Sequence, residues 1–143
     1  MIFLVGIDSS SGAKKAFEYA LHFMKPGDDL VLAYVVEVVS HPDLAQKQYY
    51  HKVEEELNKM SFEKGQHVLQ QYGSVAAARG IAAKVVELSG GDAGAQLVAA
   101  AEASKADVIV VGRRRVIEAE RLLLGSVSDF LVQHSPCTVV IAR

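Results

Sequence analysis

A chain of 143 residues, half of them hydrophobic, is long enough for one compact domain with a core of its own. A formal net charge of only −2 at this apolar content excludes general disorder. It also argues against a dedicated nucleic-acid binder, which concentrates basic side chains on one face. The single cysteine, Cys137, rules out an internal disulfide and a cysteine-rich metal cluster, and it fits a reducing, cytoplasmic setting. The apolar start MIFLVGI is too short for a secretory signal and lacks its basic leader. No segment approaches the roughly 20 apolar residues that span a bilayer, so no membrane role is expected.

The first run, IFLVGI (residues 2–7), shows no polar alternation, the pattern of a strand buried on both faces. Asp8 and the serines Ser9, Ser10 and Ser11 follow and supply oxygens for a helix N-cap. In that helix Ala13, Ala16, Phe17, Ala20, Leu21 and Met24 recur at helical spacing, and Pro26-Gly27 stop it. DLVLAYVVEVV (29–39) predicts a second buried strand. A polar connection through His41, Pro42 and Asp43 leads into a long helix, where Val53, Leu57, Met60, Val68, Tyr72 and Val75 are expected to share the apolar face. Gly80 ends it, and IAAKVVEL (81–88) predicts a third strand. A helix starting near Gly91 and Asp92 turns Leu97, Val98 and Ala101 inward, and ADVIVVG (106–112) is the fourth strand. GSVSDFLVQH (125–134) predicts a helix stopped by Pro136, and CTVVIA (137–142) a fifth strand.

Strands and helices alternate with no linker, repeat or low-complexity tract, so residues 1–143 read as a single domain. Solid apolar strands joined by helices imply a five-stranded parallel sheet in a three-layer α/β/α sandwich, Rossmann-like in plan.

Ligands on such sheets bind beyond the C-terminal ends of the strands, where strand order reverses. The groups expected there are Asp8 with its serines and the stretch GRRRVIEAERLLLGSVS, from Gly112 to Ser128. Gly112 closes a buried strand, and Gly125-Ser126 opens a helix whose free N–H groups and positive dipole end suit an anion. Ser126 and Asp129 have capping-box spacing, so a structural cap without ligand explains the same residues. Asp8 could accept from a ribose hydroxyl or an adenine amine; it could also cap the first helix, as Ser9 or Ser10 could equally well. Arg113, Arg114 and Arg115 could grip phosphate through guanidinium contacts, or form a solvated loop balanced by Glu118 and Glu120. SGGDAG (89–94) reads as a turn and N-cap, and no Walker-type Gly-Lys-Ser/Thr occurs. His22, His41, His51, His67 and His134 form no i, i+4 pair, so a metal site has no support. Cys137, beside Pro136, reads as a buried small hydrophobe.

Together these blocks resemble a universal stress protein over essentially the whole chain. VGIDSSSGAKKAFEYAL is similar to that family's opening strand, Asp, Ser and first helix. LVLAYVVEV resembles its second strand, with Tyr34 where a histidine is frequent. GGDAGAQLVAAAEASKADVIVVG resembles its third-helix and fourth-strand block, with Ala93 in place of a common proline. LLLGSVSDFLVQHSPCTVVIAR is similar to the closing segment. The resemblance implies the adenine nucleotide alpha hydrolase-like form of the sandwich.

Nucleotide-binding members carry Gly, two residues, Gly, nine residues, then Gly followed by Ser or Thr. Gly112 and Gly125-Ser126 match the outer positions with the spacing intact, and Arg115 stands at the middle one. The resemblance implies that Gly6, Ile7 and Asp8 line an adenosine site and that Val35 packs near the adenine. It implies that Gly112, Gly125, Ser126, Val127 and Ser128 hold the phosphates of ATP or AMP, with Mg²⁺ able to accompany ATP. Arginine at a position suited to glycine strains the loop by about 1–3 kcal/mol or redirects it, while its cation could meet a phosphate directly.

The function implied is a dimeric, adenine-nucleotide-binding stress-response module, paired through its C-terminal strand (137–142), with no catalytic residue. Two alternatives stand beside it. Arg115 favours a nucleotide-free interaction protein of the same fold. A weak ATPase would need a group to position water; Asp8 could reach Mg²⁺ through water, but the sequence places no second carboxylate or glutamine.

Overall fold

The computed structural model describes residues 1–36, 48–113 and 126–143, the side chains of 48–50 excepted. In chain order the elements are β1 (Ile2–Ile7), α1 (Ser11–Phe23), β2 (Asp29–Val36), α2 (Gln48–Ala78), β3 (Ala83–Ser89), α3 (Ala93–Ser104), β4 (Val108–Gly112), α4 (Ser126–His134) and β5 (Thr138–Ala142). The five strands form one sheet in the order β3-β2-β1-β4-β5, and every neighbouring pair is parallel. The chain builds outward from β1 through β2 to β3, then crosses to β4 on the other side of β1. Strand order therefore reverses between β1 and β4, which opens a crevice at their C-terminal ends.

Alternate residues of each strand feed two cores. Phe3, Val5, Ile7, Leu30, Leu32, Tyr34, Val108 and Val110 face α1 and α2, where Ala16, Phe17, Ala20, Val68, Leu69 and Ala76 meet them. Leu4, Val31, Ala33, Ile109 and Val111 face α3 and α4, meeting Leu97, Ala100, Ala101 and Leu131. The central strands are covered on both sides, which is why their sequences carry unbroken apolar runs. Ser10 is the N-cap of α1, its hydroxyl accepting from the Ala13 N–H at 3.2 Å. Gly80 closes α2 with φ +79°, while the Ile81 N–H returns to the Ala76 carbonyl.

Two expectations are corrected, for the stripe of α2 and for Cys137. The apolar stripe of α2 is not continuous: Val53, Leu57, Met60 and Val75 are 40%, 42%, 63% and 41% exposed, and Val68 with Leu69 and Ala76 makes the buried face. Length is the cause, since the 31 residues of α2 span about 46 Å while the eight of β2 span about 26 Å. No side chain from 51 to 64 is fully buried. The third strand is an edge strand, and Lys84 and Val85 on it are exposed. Cys137 is half-buried rather than buried; its N–H donates to Ser135 Oγ at 3.2 Å, and Ser135 Oγ donates to its carbonyl at 2.8 Å. The end of the expected second strand (37–39), Glu118, Glu120, Arg114, Arg115 and Gly125 lie outside the described residues.

Candidate functional site

Over the C-terminal edge of the sheet lies a cleft of about 610 Å³, within the range of small-molecule sites. Gly6 and Ile7 from β1 with Asp8 at its tip, Val35 from β2, Gly112 from β4, and Ser126, Val127 and Ser128 from α4 all line it. These are the described members of the sequence-derived set, drawn from four elements and gathered into one concavity. Arg113 does not line it; its N–H donates to the Ala142 carbonyl at 3.1 Å, continuing the β4–β5 pairing.

Asp8 sits where β1 turns into α1. Its Oδ1 accepts from the Ser10 N–H at 2.8 Å and from the Ser10 hydroxyl, and Ser10 caps the helix. The capping task thus falls to Ser10, and among the described residues both hydrogen bonds to Asp8 fall on Oδ1. On α2, burial and then the negative charge of Asp8 push the Tyr72 hydroxyl up from its ordinary value. Phe17 holds that ring edge-on, 4.9 Å between centroids.

Helices in a parallel α/β sheet start where the strands end, so α1, α3 and α4 bring their N-termini to the rim. Ser10 and Ala13 line it from α1, Asp92 and Ala93 from α3, and Ser126 to Ser128 from α4. Asp92 caps α3 as expected, Oδ2 accepting from the Ala95 N–H at 3.3 Å. Ser126 is the first described residue of α4, and Gly125 before it lies outside the described residues. Asp129 Oδ2 accepts from Gln133 Nε2 at 3.0 Å, one turn on. Ser128 is buried, and Val127 is half-buried against the core beneath α3 and α4. Among the described residues, no cluster of three His, Cys, Asp or Glu side chains is arranged to hold a metal.

Sequence reasoning missed part of the wall. Tyr34, Ser61, Lys64 and Leu97 all line the cleft. Lys64 and Ser61 are one helical turn apart on α2, and only the way that helix packs on the sheet shows which of its faces reaches the site.

Tyr34 stands between Ile7 and Glu87 in the strand register. Glu87 Oε2 is buried without a hydrogen-bond partner among the described residues, and burial raises its carboxyl above the ordinary 4.5. A raised carboxyl pKa favours the fold when protonated. The contribution is therefore full below pH 4.5 and is lost as pH rises through the folded value. Glu87→Gln is expected to raise unfolding free energy at pH 7 by about 0.5–1 kcal/mol. In urea melts this gap should close below pH 4.5, whereas a gap constant with pH would deny the carboxyl its titration.

The model for the Universal stress protein family matches residues 1–143. A universal stress protein of Methanocaldococcus jannaschii is 30% identical over 141 residues, covering 98% of this chain and 80% of that protein. Universal stress protein YxiE of Bacillus subtilis is 30% identical over 145 residues, covering 98% and 97%. Among solved structures, universal stress protein UspA from Lactobacillus plantarum superposes with a TM-score of 0.81 at 26% identity, covering 100% and 97%. Two nucleotide complexes share the fold. An Arabidopsis thaliana family protein with AMP bound gives a TM-score of 0.68 at 18% identity, covering 99% and 90%. The Archaeoglobus fulgidus protein in complex with dAMP gives 0.70 at 16%, covering 100% and 98%.

Proposed function

The chain belongs to the universal stress protein family, and on that premise we propose that its cleft binds an adenine nucleotide, ATP or AMP, as a regulatory ligand. The observation that carries this reading is the convergence of Gly6, Ile7, Asp8, Val35, Gly112, Ser126, Val127 and Ser128 on one cavity at the switch point. The residues suit the group. Val35, Ala33 and Leu97 offer an apolar wall for a base, and Asp8 Oδ2 an acceptor for ribose hydroxyls. The start of α4 offers N–H groups and the Ser126 and Ser128 hydroxyls to phosphate. Family proteins of this fold have been seen with AMP and with dAMP, which supports the same ligand class here.

In this reading the nucleotide is a signal rather than a substrate. Asp8 is also the group that would face Mg²⁺ accompanying ATP, through water. The protein acts in the cytoplasm as a homodimer, joined along β5, the open edge of the sheet beyond β4. An edge strand left bare invites pairing with another chain, and a twin satisfies it.

One observation favours the nucleotide-free alternative. A glycine at 112 is required by packing against α1, so its presence alone does not mark a phosphate loop. Calorimetric titration with ATP, ADP and AMP decides between the two. Saturable heat is expected with at least one of them, together with nucleotide among the small molecules released from freshly purified protein. Absence of both at millimolar ligand would leave the interaction-protein reading in place.

A further inference from the structure

Helix α2 settles onto the cleft end of the sheet through Gly65. A Cβ there would stand 2.8 Å from Glu87 Oε2 and 2.9 Å from the Tyr34 ring, so glycine lets the helix approach β2 and β3 this closely. That approach carries the adjacent Lys64, and Ser61 before it, to the cleft wall. Lys64 is not part of a surface charge ladder. Its neighbours at three and four residues are Met60, Ser61, His67 and Val68, none of them a carboxylate. Nor does it enter the ion pairs formed among the described residues.

Among the described residues the carboxylates lining the cleft are Asp8, whose Oδ1 accepts from the Ser10 N–H, and Asp92, which caps α3. Lys64 is the one Lys or Arg among the described residues lining the cleft, and three helix N-termini add their positive ends beside it. The Val35, Ala33 and Leu97 wall lies on the opposite sheet face from Tyr34 and α2, so the cation stands across the cleft from the surface suited to a base.

We propose that Lys64, with the Ser61 hydroxyl beside it, binds a phosphate group of the ligand and makes the cleft select phosphorylated nucleosides over unphosphorylated ones. The inference rests on the nucleotide reading above and names a specificity residue within it. A single ammonium on an open wall gives a moderate effect that salt screens.

The test is calorimetric titration of adenosine, AMP and ATP into the wild type, Lys64→Ala and Lys64→Arg, at low and high salt. Lys64→Ala is expected to weaken AMP and ATP about fivefold and to leave adenosine unchanged. Lys64→Arg should recover most of the loss, and the gap should narrow in high salt. Lys64 is exposed, so thermal melts of the variants should match the wild type. Equal losses for adenosine and AMP would overturn the proposal, because Lys64 would then only shape the cleft. Unchanged AMP affinity in Lys64→Ala would overturn it as well. Failure of the wild type to bind any of the three would remove the nucleotide reading itself, and this inference with it.

Discussion

Gly112→Ala is expected to destabilise the protein by about 3 kcal/mol and to remove nucleotide binding in the same step. A Cβ built at Gly112 would lie 2.2 Å from both the carbonyl carbon and the oxygen of Gly12, and 2.6 Å from its Cα. These are backbone atoms in the first turn of α1, so no rotamer change relieves the overlap. Either α1 lifts from the sheet or the end of β4 moves away from β1. The first exposes Ala16 and Phe17, which α1 buries against the sheet. The second displaces the start of the segment that leads to Ser126, Val127 and Ser128. Two smaller substitutions calibrate the claim. At Gly12 the nearest atom to a new Cβ is the Arg113 carbonyl oxygen, at 3.0 Å. At Gly6 it is a Val111 methyl at 3.0 Å, which can shift with its side chain. Urea denaturation should rank the losses Gly112→Ala above Gly12→Ala above Gly6→Ala. A Gly112→Ala protein as stable as the wild type would mean that the two backbones are not in contact.

The pair also shows where sequence reasoning stops. Gly112 stands out at the end of a solid apolar strand, because strand burial is written in local composition. Gly12 does not, being one small residue in a polar helix start, and its meaning comes from β4, which lies 100 residues further on. β1 is legible to the residue for the first reason: Ile2–Ile7 is covered on both faces, so every position must be apolar. α2 was misread for the second reason. Helical periodicity places Val53, Leu57 and Met60 on a stripe but does not say how far the sheet beneath extends. Of the site, the residues at strand tips were legible, since parallel topology fixes where strands end. Lys64 and Ser61 were not, because their approach depends on Gly65 meeting Tyr34 and Glu87.

Asp8→Ala is expected to weaken adenosine and AMP by about 10- to 100-fold, the range for losing a hydrogen bond to a charged acceptor. It should also cost about 1 kcal/mol of stability, because Asp8 Oδ1 holds the Ser10 that caps α1. The two roles separate in Asp8→Asn. An amide oxygen can still accept from the Ser10 N–H, so the melting midpoint should return to within a degree or two, about 0.5 kcal/mol. Adenosine should stay weak, since the amide exchanges one acceptor oxygen for a donor and offers no charge to the ribose hydroxyls. ATP titrated without Mg²⁺ should lose less than adenosine in that variant. Its phosphates gain from removal of a negative charge at the same rim, and this partly offsets the lost hydrogen bond. The informative quantity is thus the ratio of adenosine to ATP affinity, read by calorimetry beside a thermal melt of each variant. A fall in affinity that tracks stability through both variants would make Asp8 a turn residue and nothing more. A fall in Asp8→Asn with stability intact, larger for adenosine than for ATP, requires the carboxylate to touch the nucleoside and not the phosphates.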